Sequence, residues 1–105
     1  MDLIIYWTDF SKNELKKIFN FYKKEANQNV AKSLVIGIAN EVNKLKNHPK
    51  IGQQEELLAS DIRDFRYLVF RNYKIIYWVN SAENRIEIFD VFDTRRNPTK
   101  LVNRK

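Results

Sequence analysis

Cysteine is absent, which removes disulfides and thiolate metal sites at once. One histidine, His48, is too few for a zinc site built from imidazoles. Glycine and proline occur only twice each, and neither a glycine-rich phosphate loop nor a low-complexity segment is present. The acids of the middle region, Glu55, Glu56, Asp61 and Asp64, lack the fixed spacing of a metal loop. No cofactor and no metal are therefore expected. No run of about 18 apolar residues exists, so no membrane span is expected. The opening MDLIIYWTDF has no basic leader and does not read as a signal peptide. A soluble, cytoplasmic protein is the expectation.

What is present is globular. The 105 residues, 44% apolar and 13% aromatic, predict one domain over 1–105 with a basic tail from about residue 94. A chain of this length buries roughly 60–70% of its unfolded surface, enough for a core without staples. Nineteen Lys and Arg against thirteen Asp and Glu give a net charge of +6 and a pI near 9.6. That excess fits a nucleic acid, the ribosome or an acidic protein partner, and it also fits plain solubility.

Residues 3-LIIYW-7 form a β-branched and aromatic run, which predicts a strand. Thr8 then caps a helix, with the box Ser11–Glu14 as a rival start. Its apolar stripe is Leu15, Ile18, Phe19, Tyr22 and Ala26, while Lys16, Lys17, Lys23 and Lys24 lie mostly off it. Residues 27-NQN-29 cap a second helix with Ala31, Leu34, Val35, Ile38, Val42 and Leu45 on one face. It ends by His48, because Pro49 disfavours helix in the residue before it. The stretch 49–64 has no clean period beyond a helical turn at Glu55–Leu58. Three strands follow, 65-FRYLVF-70, 73-YKIIYWV-79 and 85-RIEIFDVF-92, joined by the two-residue loop Arg71-Asn72 and the turn 80-NSAEN-84. The order β-α-α-β-β-β predicts an α+β fold, a helical hairpin on a mainly antiparallel four-stranded sheet. Tyr73–Val79, apolar at nearly every position, should be central, and the first strand should sit at an edge or beside the last.

The candidate chemistry is cationic. Arg63, Arg66, Arg71, Lys74, Arg85, Arg95 and Arg96 all come from the sheet half. Strand alternation places Lys74 with Ile76 and Trp78 on one face, and that face must reach water at one end. Tyr67 and Trp78 could stack on bases, although strand aromatics are more often core. His48 reads as a cation at a helix C-terminus rather than a general base. In 89-FDVFDTRRNPTK-100, the pair Arg95-Arg96 either keeps a strand end soluble before the chain turns at Asn97-Pro98 or forms a rim for phosphate or carboxylate. The cations are expected to gather at one margin of the sheet.

Four stretches in order resemble the RelE/ParE superfamily of toxins from type II toxin–antitoxin pairs. They are 7-WTDFSKNELKKIFNFY-22, 45-LKNHPKIGQQ-54, 66-RYLVFRNYKIIYWV-79 and 88-IFDVFDTRRNP-98, and together they cover nearly the whole chain. The resemblance implies a growth-inhibiting toxin neutralised by a cognate antitoxin that wraps it. It implies one of two targets: DNA gyrase for ParE-like members, or mRNA on the ribosome for RelE-like nucleases. For a nuclease it would put Lys74, Arg95 and Arg96 in the catalytic set, and Arg66, Arg71, Lys74, Arg95 and Arg96 in target or RNA binding. Phe65 and Tyr67 stand where such nucleases place lysines, and Thr99, Lys100 and Leu101 stand where they place Tyr or His. No proton carrier is evident, so the resemblance leans towards the gyrase-directed class. The ribosome-dependent nuclease is the alternative, and a non-toxic basic RNA-binding module is the third.

Overall fold

The computed structural model describes residues 3–97 and 99–102. Strand β1 (Ile4–Trp7) leads into helix α1 (Asp9–Glu25), and α2 (Gln28–Asn43) follows after Asn27. The caps are the expected ones. Thr8 Oγ accepts from the Ser11 N–H at 3.2 Å, and Asn27 Oδ1 accepts from the Val30 N–H at 2.9 Å. Thr8 Oγ also donates to the Ile88 carbonyl at 2.8 Å, which fixes the start of α1 to the sheet. A 3₁₀ turn at Lys44–Lys46 closes α2, and His48 is exposed just beyond it.

Residues 49–64 correct the strand count. Within that stretch lies a short strand, β2 (Gln53–Gln54), paired antiparallel with β3 (Arg66–Phe70). The expected four strands are therefore five. With β4 (Tyr73–Asn80) and β5 (Arg85–Asp93), the sheet order is β1-β5-β4-β3-β2. β4 is central as expected. β1 lies at the edge beside β5 and runs parallel to it, the one parallel pairing among the described residues. The helical turn predicted in the connection is a 3₁₀ turn at Glu56–Leu58.

Two clusters cover the sheet, one per face. On the helix side, Ile18, Leu34, Ile38 and Val42 pack against Tyr73, Ile75, Tyr77 and Ile88. Gly37 lets α2 approach the sheet closely: a Cβ there would run into the Phe70 ring. Ala26, placed on the α1 stripe by its spacing, is instead the exposed C-cap. On the other face Leu58, Phe65, Ile76 and Phe92 form a smaller cluster, joined by Tyr67 and Trp78. The basic tail contributes to it: α3 (Thr99–Val102) brings Leu101 in, fully buried.

A β-bulge shifts the alternation of side chains along β5 by one residue. Tyr77 pairs with Ile88 but Ile76 pairs with Asp90, so Phe89 is an extra residue in β5. Before it, Ile86 and Ile88 point to the helices; after it Val91 does, while Phe92 turns to the smaller cluster.

Candidate functional site

The five predicted binding residues divide into two groups. Arg71, Arg95 and Arg96 sit at one end of the sheet, where the β3–β4 hairpin meets the end of β5. Arg71 occupies the hairpin tip at φ 55°, a left-handed conformation that costs a non-glycine residue roughly 1–2 kcal/mol. Its guanidinium lies 5.6 Å from the centre of the Phe70 ring. Asn72 next to it accepts from the Thr94 N–H at 2.8 Å through its carbonyl, tying the hairpin to the end of β5.

Arg95 is held by Asp93. Its Nε donates to Oδ1 at 3.0 Å and its Nη2 to Oδ2 at 2.8 Å. The hydrogen bond from Arg95 holds the Asp93 carboxyl down to about 2 against the opposing effect of burial, and the same contact raises the guanidinium. The sign follows from the depressed carboxyl: its ordinary value is 3.8, so its stabilising contribution is complete above that and is lost as the pH falls towards 2. Urea midpoints measured from about pH 5 down to about pH 2 are expected to fall more steeply for the wild type than for Asp93→Asn, the gap between them closing at the acid end.

Arg96 reaches inward to Glu14 on α1, with Nη1 3.6 Å from Oε1. Glu14 is 4% exposed and also pairs with Lys17 at 3.2 Å. The apolar spacing on α1 did not single out Glu14, although Ser11, Glu14 and Ile18 share one face at intervals of three and four, and all three are buried. Nearby, Tyr22 hydrogen-bonds Tyr73, whose phenol is raised above its ordinary range, first by burial and then by that bond.

Lys74 and Arg66 lie elsewhere. Lys74 faces the side of the sheet away from the helices. Its Nζ is 3.0 Å from Glu55 Oε2 and 4.3 Å from the centre of the Tyr67 ring. Glu55 is 3% exposed. Arg66 braces the β2 loop, donating to Asp64 at 2.9 Å and to the Gly52 carbonyl at 3.0 Å. The expectation of cations at one margin thus holds for Arg71, Arg95 and Arg96 and fails for Lys74 and Arg66, whose partners hold them at the β2–β3 side. The turn at Asn97-Pro98 includes Pro98, which lies outside the described residues, as do Arg104 and Lys105 of the tail.

The face opposite the helices carries two further clamps. Arg63 lies 4.7 Å from the Phe65 ring centre and 5.8 Å from that of Trp78, while Asp61 binds it through two oxygens and raises the guanidinium. Arg85 lies 4.0 Å from the Tyr6 ring centre and binds Glu87. Burial alone would raise the Glu87 carboxyl, but hydrogen bonds from Arg85, Asn80 and Trp78 outweigh it and hold the group below its ordinary range. Tyr67 and Trp78 are half-buried against the smaller cluster, closer to core than to open stacking platforms. Among the described residues no group of three or more His, Asp or Glu side chains is placed to hold a metal ion, and no helix is long and apolar enough to cross a membrane.

A family model described as "ParE toxin of type II toxin-antitoxin system, parDE" matches residues 5–98. Among solved structures, the "Chromosomal ParDE TA system from P. aeruginosa" is similar in fold, with a TM-score of 0.71 at 18% identity over 87% of this chain and 95% of that one. No curated protein matches the sequence.

Proposed function

Because the chain belongs to the family of ParE toxins of type II toxin–antitoxin systems, we propose that it arrests bacterial growth by inhibiting DNA gyrase, acting as one domain over 1–105 and held in check by a protein antitoxin. The supporting observation is the separation of the cations. Cleavage of RNA by attack of its own 2′-hydroxyl needs a base, an acid and charge-stabilising groups around one phosphate. Here Lys74 lies on the face opposite the helices, paired with Glu55, whereas Arg96 pairs with Glu14 on the helix side. Arg95, Arg96 and Arg71 instead form an exposed cationic end suited to contacting a macromolecular target. No cofactor or metal is invoked.

The test is a supercoiling assay with purified gyrase and the purified chain. Inhibition, or trapped cleavage complexes, is the expected result. Unimpaired supercoiling at a large molar excess of the chain would reject gyrase as the target.

One observation favours a second activity, ribosome-dependent cleavage of mRNA. The Lys74 ammonium touches both the Glu55 carboxylate and the Tyr67 ring. A carboxylate can take the hydroxyl proton and an ammonium can offset phosphorane charge. Site-specific cuts in mRNA on translating ribosomes, abolished by Lys74→Ala, would establish it over gyrase inhibition. Normal growth on expression without antitoxin would instead favour the non-toxic RNA-binding module.

A further inference from the structure

A pocket of about 220 Å³ opens between the helical hairpin and the β3–β4 loop, lined by Tyr22, Val30, Ser33, Leu34, Arg71 and Asn72. It holds one cation and no carboxylate. Arg71 is the first residue of the two-residue loop and stands at φ 55°. Glycine, asparagine or aspartate ordinarily fills such a position, and an arginine there is strained. Strain of this kind persists only where the surroundings fix it, and it gathers at binding sites. Here the surroundings do fix it. The Asn72 carbonyl accepts from the Thr94 N–H at 2.8 Å, and Asn72 Nδ2 donates to Asp93 Oδ1 at 3.2 Å. The Arg71 guanidinium rests 5.6 Å from the centre of the Phe70 ring, and that ring packs against α2 at Gly37. Its charge state also sets Arg71 apart. Asp93 clamps Arg95 and Glu14 pairs with Arg96, whereas Arg71 is exposed and pairs with no acid among the described residues. The Ser33 hydroxyl, on the α2 side of the pocket, likewise has no hydrogen-bond partner among the described residues.

We propose that this pocket seats one backbone phosphate of duplex DNA, with the Arg71 guanidinium donating to two phosphate oxygens and the Ser33 hydroxyl as a further donor. A planar fork of N–H groups matches phosphate geometry, and a pocket without carboxylates does not repel the anion. The source of the phosphate is a polymer rather than a small ester. Val30 and Leu34 give the pocket apolar walls with nothing to hydrogen-bond a sugar or base, and the chain's net charge of +6 draws a polyanion. The inference rests on the gyrase-directed function above only for where the DNA is met, namely on the enzyme being inhibited.

The experiment follows binding of a fluorescently labelled duplex to the full chain by anisotropy across a salt series, with no gyrase present. Arg71→Gly is expected to weaken binding about tenfold at low salt and to lower the slope of log K against log salt by about 1. Its urea midpoint is expected to stay at or above wild type, because glycine adopts that φ without strain. Ser33→Asp, at an exposed helix position, puts a carboxylate into the pocket and is expected to weaken binding by a similar factor. Duplex binding equal to wild type in both variants would overturn the site and leave gyrase inhibition standing. Loss in Arg71→Gly without loss in Ser33→Asp would reduce the site to a surface charge and overturn the pocket. A lower midpoint for Arg71→Gly would overturn the strain on which the site is argued. Binding of inorganic phosphate that depends on Arg71, without duplex binding that does, would overturn DNA as the source. Duplex binding that depends on both residues, in a chain that leaves supercoiling unimpaired, would uphold the site and reject gyrase as the target.

Discussion

Truncating Tyr77 to alanine is expected to cost about 3–5 kcal/mol, the range for removing a large buried ring, and to bring the domain close to unfolding. Tyr77 is the largest of the fully buried side chains, sits on the central strand, and packs in the helix-side cluster. Its hydroxyl also accepts from the Gly52 N–H at 2.9 Å, which ties the loop before β2 to the core. Burial, the largest influence, pushes the phenol above its ordinary value, as expected for a group that must stay neutral there. Tyr77→Phe separates the two contributions: it keeps the ring and strands one buried N–H, a loss of about 1–3 kcal/mol. The check is urea unfolding of all three proteins. A Tyr77→Ala variant as stable as wild type would mean that the core is not centred on Tyr77.

The second large effect concerns Lys74. Lys74→Met is expected to destabilise by about 2 kcal/mol, below the 3–5 kcal/mol of a fully buried pair because a quarter of the lysine side chain still meets water. The cost arises at Glu55, whose carboxylate would remain almost completely buried without its ammonium. Glu55→Leu/Lys74→Met removes both charges and is expected to recover most of the loss, giving a coupling of about 1–2 kcal/mol in a double-mutant cycle. Purely additive effects would show that the pair contributes no stability. The same double variant also informs function: a gyrase inhibitor should still arrest growth, whereas a nuclease built on this pair should not.

The residues that were legible in the sequence are those whose environment is local. Thr8 and Asn27 cap helices because their side chains bond N–H groups three residues on. Arg71-Asn72 reads as a two-residue loop because apolar strands flank it, and alternation alone puts Lys74 opposite Tyr73 and Ile75. What escaped depends on distant partners. β2 is two residues long and exists only because β3 offers it an edge. Glu55 is nineteen residues from Lys74, in a stretch without periodicity, so no spacing could join them. Leu101 reads in the sequence as part of the basic tail, and only the cluster it joins with Leu58 makes it core. At the candidate site, Arg95-Arg96 was visible as a charge pair, but its division between two acids, Asp93 and Glu14, required the packing of α1 on β5.

The surplus residue in β5 has a consequence for how the chain can change length. Every side chain from Asp90 onward owes its facing direction to Phe89, so dropping one residue between Ile88 and Asp93 would rotate Val91 out of the helix-side core and point Phe92 into it. The turn at Ser81–Glu83 stands before this phase shift and makes no such demand, being solvent-facing throughout. Natural variation in the number of residues should therefore accumulate at the β4–β5 turn and be shut out of the final strand, where a single missing residue would inside-out the sheet margin that carries the arginines.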